Sequence, residues 1–270
     1  MRTTSNPAFR NLPTTGGYAT FQNQPGYQAY PGYAPQPQGY PYAPTPGPVS
    51  AARPMTIDDV VTKTAITAGA ALLAGVLTGW FDAYFLALPA VLIGLVLSLV
   101  IIFRQSTSPA LILSYAIAEG VFLGALTDVL DNVGGLSGIG FQAVVGTAGV
   151  FGGMLLVYKT GAIRVTPRLT RWIVGATIGV GVLMLANLIA SFFTTGGLGL
   201  RDGSPLAIVF SLVCIGIAAF SFLLDFDAAD QAIRAGVPAK YSWYIAFGLM
   251  VTLVWLYLEI LRLLSYLREE

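Results

Sequence analysis

Long apolar stretches recur along the chain from Ile57 onward, and short polar segments separate them. A helix needs about 20 mainly apolar residues to cross a bilayer. Seven stretches approach or exceed that length, at about 58–80, 83–103, 108–130, 141–161, 171–194, 204–226 and 242–267. The pattern therefore predicts an all-α membrane protein with seven transmembrane helices, in a domain that covers residues 53–270.

Residues 1–52 have a different character, because they are polar and rich in Pro, Gly, Tyr and Gln, as in "GYQAYPGYAPQPQGYPYAPTPGP". Such a segment buries too little apolar surface to offset the entropy of ordering. We expect a disordered cytoplasmic tail with local polyproline II character. Two interpretations stay open, namely a solvated tail without a specific role and an adhesive segment whose tyrosines bind partners weakly.

Composition supports the membrane prediction and excludes several chemistries. The chain is 55% hydrophobic and only 10% charged, whereas soluble domains carry roughly 25% charged residues. The net charge of +1 gives no reason to expect nucleic acid binding. There is no histidine and only one cysteine, Cys214, so disulfides and the usual zinc sites are excluded. We expect no enzyme and no cofactor, and the lipid bilayer as the main partner.

The basic residues predict an orientation. Most of them flank the first span or fall in alternate loops, and these are Arg53, Lys63, Arg104, Lys159, Arg164, Arg168, Arg171, Arg234 and Lys240. The other loops carry mainly aspartates, with Arg201 as the exception. The asymmetry predicts a cytoplasmic N-terminus and a C-terminus on the opposite side of the membrane.

Four carboxylates lie within or at the end of predicted spans: Glu119, Asp225, Asp227 and Glu259. An ionised group at the bilayer centre costs about 2.5–3.5 kcal/mol on insertion scales, so such residues are functional candidates. At about 1.5 Å per residue, Asp225 and Asp227 lie near the cytoplasmic end, Glu119 near the middle and Glu259 toward the outside. Oxygen ligands in such a series suit protons or hard cations such as Ca²⁺.

Structural roles for the same residues also stay open. Asp225 and Asp227 are consistent with acids that end a helix at the interface, and Glu259 with a structural ion pair to Arg262, three residues on. Glu119 has no basic neighbour in the sequence. Arg104 ends the second span on the side of Asp225 and Asp227, which makes it a candidate ion-pair partner for either.

Small residues on two spans predict close helix packing in lipid. Gly120 and Gly124 form a small-xxx-small pair on the third span. The fourth span carries Gly149, Gly152 and Gly153.

Four segments, in this order, resemble the Bax inhibitor family, in particular its bacterial YccA-like branch. They are "SYAIAEGVFLG", "VYKTGAIRVTPR", "LLDFDAADQAI" and "LVWLYLEILRLL". The resemblance covers roughly residues 55–267, together with "SNPAFR" near the start. It implies seven membrane helices and a pH-sensitive calcium leak.

The resemblance also implies roles for individual residues. Asp225 and Glu259 correspond to the family's proton-sensitive acids on the last two helices, and as a pair they are candidate calcium ligands. Glu259 stands where an aspartate is expected, and Asp227 competes with Asp225 because the sequence reads "DFD". Arg104 corresponds to the arginine that latches the closed state, and Glu119 fits the third-helix "EG".

The leading hypothesis is therefore a cation leak gated by protonation, which conducts Ca²⁺ or H⁺ across a bacterial cytoplasmic membrane. The alternative is a non-conducting regulator of a membrane protease or a stress response. Asp225 and Glu259 are 34 positions apart, so a straight seventh helix would hold them too far apart to share a proton directly.

Overall fold

The computed structural model describes residues 53–194 and 196–269, except for the side chains of residues 133 and 269. The tail predicted over residues 1–52 lies outside the described residues. The described chain contains seven α-helices with short 3-10 or π segments between some of them, and no β-strand occurs in it. They are α1 Ile57–Trp80, α2 Ala87–Arg104, α3 Pro109–Asp128, α4 Ile139–Thr160, α5 Pro167–Ser191, α6 Pro205–Arg234 and α7 Ser242–Glu269.

Each of these helices is long and apolar enough to cross a membrane, which confirms the predicted fold class. Local sequence signals fix the helix starts. Thr56, Thr166 and Ser204 each accept a hydrogen bond from a backbone N–H of the first turn. Proline occupies the first turn of α3, α5 and α6, where its missing N–H costs nothing.

Helix α6 ends at Arg234, whereas the hydropathy pattern predicts an end near residue 226. Two pairs one helical turn apart support the extra turns. Gln231 donates to Asp227 at 2.5 Å, and Arg234 forms an ion pair with Asp230 at 2.7 Å. The helix stops only where Gly236 adopts a positive φ of 67°. The aspartates of this segment thus lie inside a continuous helix and do not terminate it.

Hydrogen bonds between loops show which helix ends meet. Just before α1, the Met55 N–H donates to the Val237 carbonyl at 2.8 Å, and Lys63, near the start of α1, donates to the Ala239 carbonyl at 2.9 Å. At the other end of the bundle, Arg268 donates to the carbonyls of Leu136 and Ser137, between α3 and α4. The α6–α7 loop therefore lies with the start of α1, and the end of α7 lies with the α3–α4 loop.

Helix α7 forms the centre of the bundle. It packs against α1, α3, α4 and α6. In the most apolar 18-residue stretch of α7, 44% of the residues are buried, against 17% for α2 and for α5. Fully buried residues on α7 include Ala246, Leu256 and Leu261. The outer faces of the peripheral helices carry exposed apolar side chains such as Leu73 and Leu88, as a lipid environment requires.

The glycine pair of α3 packs directly on α1. A Cβ atom added to Gly120 would lie 2.1 Å from the Ala71 carbonyl oxygen, and one added to Gly124 would lie 2.3 Å from the Gly75 carbonyl oxygen. The glycines of α4 differ, because a Cβ atom at Gly149, Gly152 or Gly153 would meet nothing within 4 Å. Of the glycines predicted to allow close helix packing, those on α3 therefore do so and those on α4 do not.

Candidate functional site

Asp225 lies on α6, half-buried against α7. The hydroxyl of Thr252, itself buried on α7, donates to the Asp225 carboxylate at 2.7 Å. Among the described residues, no lysine or arginine nitrogen lies within 4.0 Å of this carboxylate. Its observed polar partner is thus a neutral side chain on the central helix.

Asp227 faces a different environment from Asp225. Two residues correspond to about 200° around a helix, so the two side chains lie on nearly opposite sides of α6. Asp227 and Asp230 line an open groove of about 470 Å³ between the end of α4 and α6. Tyr158 of α4 donates to Asp230 at 3.4 Å across that groove. Of the two acids that the sequence left in competition, Asp225 is the one that contacts α7.

Glu119 is buried on α3, with 9% of its surface exposed. Tyr115, one turn earlier on the same helix, interacts with its carboxyl group. A Cβ atom at Gly94 of α2 would lie 2.8 Å from the Glu119 Oε1 atom, so this carboxyl group occupies space that the glycine leaves free. No ion pair to Glu119 occurs within residues 53–194 and 196–269.

Glu259 is the most deeply buried of the four acids, with only 1% exposed. Arg201 reaches it from the loop between α5 and α6, with its Nη2 and Nη1 atoms 2.9 Å and 3.2 Å from the two carboxylate oxygens. Arg262 contributes a further contact at 3.2 Å, as the spacing of three residues suggested. The Arg201 guanidinium also lies 5.5 Å from the centre of the Phe210 ring. Glu259 is therefore a charged partner of two arginines.

Sequence reasoning did not connect Arg201 with Glu259. The signal was present, because Arg201 was the exceptional basic residue in a loop on the side toward which Glu259 was placed. A bidentate arginine–carboxylate contact fixes both distance and orientation, so it joins this loop firmly to α7.

Asp202, the next residue in that loop, is held differently. The Ser204 hydroxyl and its backbone N–H interact with the Asp202 carboxylate, and they keep the pKa of this carboxyl group below its usual range. Asp202 therefore stays ionised near neutral pH and is no rival to the buried acids as a proton sensor.

Arg104 does not make the contact that was expected of it. Its side chain is exposed at the end of α2, and no described carboxylate lies within 4.0 Å of it. The reason is the position of α2, which packs mainly against α3 and not against α6. The expected ion pair with Asp225 or Asp227 is therefore absent from this structure.

The four acids thus occupy separate places and do not form one cluster. Helix α7 is continuous, so no re-entrant bend brings Glu259 toward Asp225. Thr252, the partner of Asp225, and Glu259 are seven residues apart on α7, which corresponds to about 10 Å along the axis. Among the described residues, no group of three or more acidic or sulfur ligands is arranged to hold a metal ion.

This architecture defines an integral membrane protein with seven helices around α7 and carboxylates inside the bundle. The sequence profile of the family described as "Bax inhibitor 1 like" matches residues 6–269, so the chain belongs to that family. No curated protein and no solved structure matches the chain significantly. Assignment to the bacterial YccA-like branch stays a prediction.

Proposed function

We propose that this protein is a pH-sensitive cation leak of the Bax inhibitor family, with Ca²⁺ as the conducted ion. The observation that carries the proposal is the Asp225–Thr252 contact, an acid on α6 bonded to a hydroxyl on the central helix. Loss of its charge changes the interface between two membrane helices. In this proposal the N-terminus is cytoplasmic and the membrane is the bacterial cytoplasmic membrane.

The proposed switch follows from the chemistry of that hydrogen bond. An ionised carboxylate accepts a hydrogen bond roughly twice as strong as a neutral one does. In this structure the Thr252 hydroxyl oxygen lies 2.7 Å from an Asp225 carboxylate oxygen. Protonation of Asp225 weakens this hydrogen bond and thereby weakens the packing of α6 against α7. The other fixed point on α7 is Glu259, which Arg201 and Arg262 keep paired. We assign to Glu259 an anchoring role and to Asp225 the sensing role.

Glu119 and Asp227 are the other two acids that we assign to the proposed pathway. Glu119 supplies a buried carboxyl group without a described cation partner, and Asp227 lies at the rim of the groove beside α4. Both suit transient contact with a cation, because a passing ion must meet oxygen ligands without being held tightly.

The first test is Ca²⁺ flux through the full-length protein in liposomes, measured between about pH 5 and pH 8. One titrating proton changes the flux by at most about tenfold per pH unit. We expect Asp225→Asn to abolish this dependence, because asparagine cannot change its charge. Thr252→Val is expected to shift the midpoint, since it removes only the hydrogen-bond donor.

Arg104→Gln is the matched control, because it removes an exposed charge that has no carboxylate partner in this structure. Its pH profile should equal that of the parent protein. An Asp225→Asn variant that keeps the parent profile contradicts the sensing role. No flux at any pH contradicts the leak and favours the non-conducting regulator. Removal of residues 1–52 separates these two hypotheses further, since a leak should persist without the tail.

A further inference from the structure

One surface of the described chain carries a concentration of cations without carboxylate partners. We define the basic surface as Lys159, Arg164, Arg168 and Arg171, together with the ring of Trp172. All five side chains are exposed, and they lie along the end of α4, the following loop and the start of α5. No described carboxylate lies within 4.0 Å of any of the four cations.

Most other cations of the described chain are occupied internally. Arg53 and Arg234 form ion pairs with aspartates, and Arg201 and Arg262 share Glu259. Lys63 and Arg268 donate to backbone carbonyls. Outside the basic surface, internal pairing is thus the usual state of a cation. Within its thirteen residues, Lys159, Arg164 and Arg168 have no such contact in the described chain, and Arg171 donates only to the Pro167 carbonyl of its own helix.

The basic surface contains two open grooves. Lys159 and Arg164 line the groove of about 470 Å³ described above, and Arg168, Arg171 and Trp172 line a second open groove of about 270 Å³. In the first groove, Arg234 pairs with Asp230, and Asp227, which accepts a hydrogen bond from the neutral Gln231, is the other acid that faces Lys159 and Arg164. An anion that enters the second groove therefore meets two arginines without a described carboxylate partner and an aromatic ring.

Its position places the basic surface at the boundary of the bilayer. Lys159 lies in the last turn of α4, and Arg168 and Arg171 lie in the first turns of α5, where two apolar spans end. Trp172 is 77% exposed, and tryptophan favours the level of the lipid headgroups. The Arg171 Nε–H donates to the Pro167 carbonyl at 3.2 Å, which restrains the guanidinium near that level.

We propose that the basic surface binds the headgroup of an anionic phospholipid in the leaflet that it faces. Arginine matches phosphate geometry through two parallel N–H donors, and the indole ring packs beside the glycerol region. Four cations without an acidic partner favour a headgroup with net negative charge over a zwitterionic one, whose own ammonium group they repel. This binding does not depend on ion conduction.

The test uses quenching of tryptophan fluorescence in bilayers of phosphatidylcholine that contain increasing amounts of a dibrominated lipid. The quencher is either dibrominated phosphatidylglycerol or dibrominated phosphatidylcholine. The fluorescence of Trp172 is obtained by subtracting the fluorescence of the Trp172→Phe variant from that of the parent protein. We expect half-maximal quenching of Trp172 at a mole fraction of phosphatidylglycerol at least about threefold lower than that of phosphatidylcholine.

Two double variants decide whether this preference belongs to the basic surface. Arg168→Gln with Arg171→Gln removes two of its cations and should reduce the preference to less than about 1.5-fold. Arg104→Gln with Lys240→Gln removes two exposed cations from the same predicted side of the membrane and should leave it at the parent value. Equal quenching of all proteins by dibrominated phosphatidylcholine verifies equivalent reconstitution.

Three outcomes overturn the proposal: no phosphatidylglycerol preference in the parent protein, an unchanged preference in the Arg168 and Arg171 variant, or an equal loss in the control variant. The last result assigns the effect to the general charge of that side. A preference lost only from the Arg168 and Arg171 variant supports a defined lipid site.

Discussion

Glu259→Ala is expected to lower the free energy of unfolding by about 3–5 kcal/mol, the usual effect of removing one partner from a buried ion pair. Glu259 is 1% exposed and holds Arg201 through two hydrogen bonds. Its removal leaves a guanidinium, 19% exposed in its side chain, without a counter-charge beside the apolar face of α6. Unfolding of the purified protein in mixed micelles, titrated with dodecyl sulfate, measures the change.

Three further variants test that explanation. Asp227→Ala removes a half-buried carboxylate whose hydrogen-bond partner in the described chain is the neutral Gln231, and we expect a loss below about 1 kcal/mol. Arg262→Ala should also cost less than about 1 kcal/mol, because its side chain is 32% exposed. Adding Arg201→Ala to Glu259→Ala should restore part of the loss, since no uncompensated guanidinium then remains from that pair. A Glu259→Ala protein as stable as Asp227→Ala contradicts the anchoring role.

Gly120→Ala and Gly124→Ala are also expected to lower the free energy of unfolding strongly. Each adds one methyl group, and that group would lie 2.1 Å or 2.3 Å from a carbonyl oxygen of α1. The obstacle is backbone, so no side-chain rotation relieves it, and α1 must move away from α3. Overpacking a close contact usually costs 1–3 kcal/mol, and a backbone clash belongs at the upper end, so we expect a loss of about 3 kcal/mol for each variant.

The α4 glycines provide the matched controls for this prediction. Gly149→Ala and Gly152→Ala place the same methyl group in open space. Alanine is favoured over glycine inside a helix by up to about 1 kcal/mol, so both controls should be neutral or stabilising in the same unfolding titration. Equal effects in α3 and α4 mean that the α1–α3 contact is not the cause.

The spans were predictable from sequence because hydropathy is a local property and a bilayer requires about 20 apolar residues per helix. The end of α6 was not predictable, because three aspartates after an apolar run are typical of a helix that ends at the membrane surface. They remain helical through pairs one turn apart, such as Asp230 with Arg234. Composition identified the four intramembrane acids but not their neighbours.

Those neighbours depend on packing between distant parts of the chain. Thr252 looked like an ordinary residue of an apolar span, yet it is the partner of Asp225. Arg201 and Glu259 are separated by all of α6, and only the folded bundle brings the α5–α6 loop onto α7. The expected ion pair of Arg104 is absent for the same reason, because the sequence indicates the side of the membrane on which Arg104 lies but not that α2 packs mainly against α3.

The central position of α7 has a consequence for the way the protein is made. It is the last of the seven helices in chain order, yet it packs against α1, α3, α4 and α6. During synthesis, the six preceding helices therefore enter the bilayer before the helix that contacts four of them exists. In that interval Asp225 lacks Thr252, Arg201 lacks Glu259, and Lys63 lacks the Ala239 carbonyl. The newly inserted helices must hold these polar groups in lipid or against the insertion machinery until α7 arrives and completes the bundle.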